Sequence, residues 1–184
     1  IGDQMQLSQP MRAKHEGYAR MSSLDFVLED KDTIPADKGV FLNVTRRLNN
    51  KICNYISSSF YDSRLTSDPI TETRSVILKL DPIKNEGLFY VPIEHSGCSQ
   101  RSDEEADLVE KTYNKIINKE FKAGKNIGKI SSKDIMVVAP YNAQANNIRE
   151  RLKKEYDDVR VGTIDLFQGQ EAKVVLISMT TSDV

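Results

Sequence analysis

Short apolar runs alternate along the chain with segments whose apolar residues recur at helical spacing. Residues 39–44, GVFLNV, suit a buried strand. NKICNYISSSFY (50–61) follows as a helix with Ile52, Tyr55, Ile56, Ser59 and Phe60 on one face. SVILKL and GLFYVPI read as strands on either side of the turn-forming stretch DPIKNEG. SDEEADLVEKTYNKIINKEF (102–121) opens with Ser102 and acidic residues, as a helix N-terminus prefers, and carries Ala106, Val109, Tyr113, Ile116 and Ile117 on one side. IMVVA (135–139) is a buried strand ended by Pro140, and NAQANNIRERLKKEY (142–156) is a polar-faced helix with basic residues toward its end. VRVGTI and KVVLISM complete the set as strands. Apolar strands without strict alternation, joined by helices, predict an α/β fold with a mainly parallel sheet covered by helices on both faces. Residues 11–38 break the rhythm and read as a bridge from an earlier domain.

Composition adds bounds. At 184 residues and 39% hydrophobic, the chain can bury one ordinary core with part of a second. Lys and Arg number 26 against 27 Asp and Glu, a net charge of -1, so nucleic-acid binding would come from local placement, not bulk charge. Two cysteines, Cys53 and Cys98, support neither a disulfide framework nor a zinc knuckle, which makes a reducing, cytoplasmic location the expectation. No apolar run has the length of a membrane span. The opening IGDQMQL reads as a strand cut short, so the chain is expected to be an excised piece.

In an open parallel sheet, ligands collect outside the carboxyl ends of the strands. Four polar clusters follow predicted strands: GDQMQL, TRRLN, PYNAQ and DLFQGQE. The last is a link too short for a full crossover helix, with Gly169 free to turn tightly or approach a phosphate and Glu171 able to accept from a sugar hydroxyl.

These clusters carry a resemblance. GDQMQLSQP resembles motif III of superfamily 1 helicases, and FLNVTRRLNNKICNYISSSFYDSRL is similar to motif IV of their Upf-like and Dna-type branch. VVAPYNAQANNIRERL resembles the branch's PY-x-x-Q segment, and VGTIDLFQGQEAKVVLISM its motif V. The motifs run in order from the first residue to the last, with only the α/β rhythm between Ser75 and Lys133. Within the branch, the likeness extends to bacterial helicases fused to a RecB-like nuclease. It implies a RecA-like fold, with residues 1–38 the tail and linker of a first such domain and 39–184 most of a second, cut before motif VI. It also implies an ATP-dependent motor that moves 5′ to 3′ along single-stranded DNA, with RNA as the alternative substrate and no membrane partner. ATP with Mg2+ would sit between the two domains, the metal held by residues outside this chain.

Residue roles carry over by position. Gln6 would sense the γ-phosphate, presented by a turn of Gly2 and Asp3. Arg47 matches the arginine of the branch's Y-R-M motif and would stabilise transition-state charge, although Arg46 and Leu48 replace its neighbours. Gln168, Gly169 and Glu171 would line the nucleotide cleft, with Glu171 near the ribose or γ-phosphate. Thr163 would donate to a nucleic-acid phosphate. Pro140, Tyr141 and Gln144 would line the strand channel, Tyr141 stacking on a base.

Structural alternatives stand beside these. Tyr141 also suits a packed turn, and Asp165 a cap of the turn that follows it. His15 and His95 lack ligand spacing and read as ordinary loop or surface residues. The basic KEFKAGKNIGK suits a solvated face after a helix end. No G-x-x-x-x-G-K-S/T phosphate loop occurs, which implies that these residues alone neither hydrolyse ATP nor unwind a duplex. A non-catalytic nucleic-acid-binding or scaffolding relative is the alternative function.

Overall fold

A computed structural model describes residues 2–6, 16–78, 83 and 85–182. His15, most of the irregular stretch before residue 16, and parts of SVILKL and DPIKNEG lie outside the described residues. The chain divides into two compact units, Ile1–Glu72 and Thr73–Val184.

In the first unit, helix α1 (Ser23–Leu28) begins in a capping box: the Ser22 hydroxyl accepts from the Asp25 amide while the Asp25 carboxylate accepts from the Ser22 amide. Strand β1 (Val44–Thr45) pairs in parallel with β2 (Thr66–Ser67), and helix α2 (Asn50–Phe60), capped by the Asn49 side chain, connects them. The buried stripe of α2 differs from the expected one. Cys53 and Ser57 are buried, flanked by half-buried Ile52 and Ile56, whereas Tyr55, Ser59 and Phe60 are exposed. The reason is close chain approach: Leu65 donates its amide to the Ser57 hydroxyl at 3.0 Å, and its carbonyl lies 3.7 Å from Cys53 Sγ. Only small side chains admit the returning strand so near.

The second unit holds two sheets. Strand β3 (Arg74–Val76) pairs antiparallel with β4 (Glu120–Ala123), and β4 with β5 (Asn126–Lys129). The last two form a hairpin across KEFKAGKNIGK, which stays largely exposed as the solvated face expected there. Its loop is Gly124-Lys125, and Gly124 at φ +60° supplies the left-handed backbone that tight hairpins need. GLFYVPI forms no strand. Residues 88–94 alternate exposed and half-buried side chains without a ladder, and Pro92 lacks a donor for one.

The other sheet is parallel, in the order β7 (Arg160–Gly162), β6 (Ile135–Val138), β8 (Val174–Ile177). Helices α3 (Asp103–Ile116) and α4 (Asn142–Leu152) cover one face, packing Ala106, Val109, Tyr113, Ile148 and Leu152 against Ile135, Val137 and Val161. The opposite face carries the link from β7 to β8, with its one-turn helix α5 (Ile164–Phe167). Gly162 makes this possible, because a Cβ there would lie 2.5 Å from Leu166 Cδ2. Parallel strands and helices are thus present as expected, with the antiparallel sheet added.

Candidate functional site

In the first unit, Asp3 organises the turn that bears Gln6. Its Oδ1 accepts from the Met5 amide at 3.1 Å, and its Oδ2 accepts from Gln6 Nε2 at 2.8 Å and from the Tyr61 hydroxyl at 2.7 Å. Burial first, and then the Asp3 carboxylate, push the Tyr61 phenol well above its ordinary range. Gly2 is exposed at the start of this turn. Beyond β1, the Thr45 hydroxyl accepts from the amides of Arg47 and Leu48 at 3.2 and 3.4 Å. Arg46 bridges to Asp68 at 3.2 Å, while Arg47 lies exposed on the same turn.

In the second unit, β6 ends at Val138, and beyond buried Ala139, Pro140 and Tyr141 stand at the surface where α4 begins. Gln144 does not join them. It is wholly buried, accepting from the Ser102 amide at 2.9 Å and donating to the Ser102 carbonyl at 2.9 Å and the Ser178 hydroxyl at 3.0 Å. Its amide fastens the start of α3 to the end of β8, so the expectation that it lines a channel gives way to an internal tie.

The link after β7 answers why so many polar groups sit in so few residues. Thr163 follows the carboxyl end of β7, beside Ala139, whose amide donates to the Gly162 carbonyl at 3.1 Å. Asp165 lies inside α5 and does not cap it; Thr163 holds the N-cap position without a side-chain cap bond. The chain then turns back. Gln168 has φ -55° and ψ 129°, Gly169 has φ +79°, and the Gln170 amide donates to the Phe167 carbonyl at 2.9 Å. These values define a type II turn, whose third position strongly favours glycine.

Arg160 fixes the far end. It donates to Gln170 Oε1 at 2.9 Å, to the Glu171 carbonyl at 3.2 Å and to the Lys133 carbonyl at 2.9 Å, with its guanidinium over the Phe167 ring. Since Arg160 opens β7 and Lys133 precedes β6, Glu171 stands at the amino ends of the strands. Thr163 and Glu171, expected at one ligand-facing edge, therefore occupy opposite ends of the sheet, joined by a single link. Sequence reasoning missed Arg160, because a lone arginine at a strand start has no motif around it.

Residues 21–183 match the AAA domain family. The chain belongs to that family. Among relatives, it is similar to the DNA polymerase alpha-associated DNA helicase A of Schizosaccharomyces pombe, 29% identical over 99% of this chain and 28% of the relative. The Saccharomyces cerevisiae protein of the same name is 28% identical over 78% of this chain and 23% of the relative. The mouse DNA-binding protein SMUBP-2 is 26% identical over 99% of this chain and 19% of the relative. The chain thus spans about a quarter of the length of the curated relatives it matches. These relatives support a superfamily 1 helicase type for this AAA domain chain.

Among the described residues, no three His, Cys, Asp or Glu side chains group as metal ligands, and no helix is long and apolar enough to cross a membrane. His95 also departs from expectation. Its side chain is almost fully buried, and Nε2 lies 3.0 Å from Glu105 Oε1. The two lie ten positions apart, with the loop before α3 and the first residues of that helix between them, so no local spacing announced the pair.

Proposed function

We propose that residues 39–184 form most of the second RecA-like domain, and residues 1–38 the tail of the first, of an ATP-driven helicase moving 5′ to 3′ on single-stranded DNA. The observation that carries this reading is the link after β7, which puts a hydroxyl at one end of the sheet and a carboxylate at the other. One element can then touch nucleic acid at Thr163 and nucleotide at Glu171. DNA is favoured over RNA because two of the named relatives are called DNA helicases and a third DNA-binding. The relatives lend no support to a fused RecB-like nuclease, and it forms no part of the reading.

The turn at Gly169 leaves room for such a nucleotide. At Gly169 a side chain would meet nothing within 4 Å, so the turn stands open. When bound, ATP with Mg2+ supplies the phosphoryl chemistry, the metal being held outside this chain. Arg47, with its fixed charge and planar fork, would neutralise charge on the γ-phosphate. Gln6 would report that phosphate to the turn set by Asp3, and Glu171 would accept from a ribose hydroxyl. Thr163 would donate to a backbone phosphate and Tyr141 would stack on a base, contacts that bind a strand without reading its sequence.

The test is the ATPase rate of the full-length protein with single-stranded DNA or RNA, wild type beside Arg47→Ala. Stimulated turnover that falls by about a thousandfold in the variant, with folding intact, supports the reading. Absence of stimulation by either nucleic acid in the wild type overturns the motor in favour of a binding module.

A further inference from the structure

The segment after β8 holds a backbone conformation that its own residues disfavour. Thr180 has φ +73°, and the Thr181 amide donates to the Met179 carbonyl at 2.8 Å. A bond from residue 181 to residue 179 around a positive φ describes the classic γ-turn, a rare and strained form. A β-branched residue pays most for it. Thr180 is moreover fully buried, and its hydroxyl has no hydrogen-bond partner among the described residues.

One carboxylate stands against this turn. Both oxygens of Glu105, on the first turn of α3, accept from the Thr180 amide at 2.9 Å. Glu105 Oε2 also accepts from the Ser178 hydroxyl at 2.5 Å, and Oε1 from His95 Nε2 at 3.0 Å. All four residues have buried side chains, and among the described residues His95 Nδ1, like the Thr180 hydroxyl, is left without a partner. The loop before α3 adds further ties. The Cys98 amide donates to the Ser182 hydroxyl at 2.8 Å, the Ser182 amide to the Cys98 carbonyl at 3.0 Å, and the Thr181 hydroxyl to the Ser99 carbonyl at 3.0 Å. Strain and unpaired buried polar atoms together mark a place where structure is held for a purpose other than stability.

The geometry points to Glu105 as a positioning residue that clamps a strained γ-turn at Thr180 and so sets the carboxyl end of β8 at the ligand-facing edge of the parallel sheet. Its link to turnover rests on the motor reading above; the clamp itself does not. Carboxyl ends of parallel strands are where such sheets present ligand-binding loops. Holding that end needs an acceptor for a buried amide that the turn directs away from any ladder. Removing the carboxylate would leave the Thr180 amide, the Ser178 hydroxyl and His95 Nε2 facing one another, and the turn would open.

The test uses the full-length protein as wild type, Glu105→Ala, Thr180→Gly and the double variant. Amide exchange over residues 178–182 is read together with kcat and KM for ATP in saturating single-stranded DNA. Glu105→Ala is expected to speed exchange in that segment by about tenfold or more, and to lower kcat with little change in KM. Glycine adopts φ +73° without steric cost, so the double variant should regain at least half of the lost protection and rate. A residue that merely fills the core would not be rescued by a change in backbone freedom. Unchanged exchange in Glu105→Ala, or a loss that Thr180→Gly does not restore, overturns the clamp. If Glu105→Ala fails to fold, recovery of folding in the double variant supports the proposal and continued failure refutes it. If the wild type shows no stimulated turnover, the motor reading falls, and exchange alone decides the clamp.

Discussion

Gln144 meets three partners within hydrogen-bonding distance and no solvent. Truncating it strands the Ser102 amide and carbonyl inside the protein, each at a cost of roughly 1–3 kcal/mol, and leaves a cavity besides. Gln144→Ala is therefore expected to destabilise the unit by about 2–4 kcal/mol, seen as a lower urea midpoint, while the folded protein keeps its affinity for single-stranded DNA. Tyr141→Ala should do the reverse, holding the midpoint and losing roughly 1–3 kcal/mol of binding if a base stacks there. Weakened binding by Gln144→Ala with an unchanged midpoint would return the amide to the channel. The residue type and its place after Pro140 and Tyr141 were plain in the sequence. Which way the side chain points was not, because its partners lie 42 and 34 residues away.

At the level of elements, the start of the parallel sheet depends on Asp134. Its Oδ1 accepts from Lys173 Nζ at 2.8 Å, its Oδ2 from the Ser131 amide and hydroxyl, and its carbonyl from the Lys173 amide at 3.1 Å. Burial would raise the carboxyl's pKa, but the Lys173 ammonium and the two Ser131 donors outweigh it and hold the value below the ordinary carboxylate range. Asp103 is lowered too, by Arg101 first and then by Asn147 and Arg151. A pKa depressed in the folded state gives stability that is present above the unfolded carboxylate value, about 4, and is lost as pH falls through the folded value. Asp134→Asn is thus expected to lower the melting temperature modestly at pH 7 and to flatten its decline between about pH 5 and pH 3. An acid limb as steep as the wild type's would show that the pair does not join β6 to β8. Helix α3 and strands β6 and β7 were legible because burial on one stripe or both faces leaves a simple apolar pattern, and β8 because its run is apolar throughout, although Val175 and Ile177 are exposed. The β4–β5 hairpin was not, since every residue of β5 is exposed, Ile127 included, and the strand carries no apolar-in, polar-out alternation. On α2, the largest side chains pointed to the wrong stripe because the contact requires small ones.

For the molecule as a whole, the sequence motifs identified both ends of the β7–β8 link but assigned them to one edge. The correction follows from strand direction. A link between parallel strands must travel from carboxyl end to amino end, so its first and last residues cannot share an edge. On the proposed reading, that passage would let a domain without its own phosphate loop touch both nucleotide and strand, and would make it dependent on whatever supplies the loop. Residues 1–184 alone are accordingly expected to show no ATP turnover stimulated by single-stranded DNA, under conditions where the full-length protein does. The comparison needs circular dichroism beside it, since an unfolded chain would be silent for an uninteresting reason. A folded chain with stimulated turnover would mean that these residues hold the triphosphate by themselves, and the division of labour between two RecA-like domains would be wrong. A folded, silent chain that binds single-stranded DNA, and loses that binding with Thr163→Val, would place the nucleic-acid contact at the carboxyl end of β7 and leave the amino end, with Glu171, for the nucleotide.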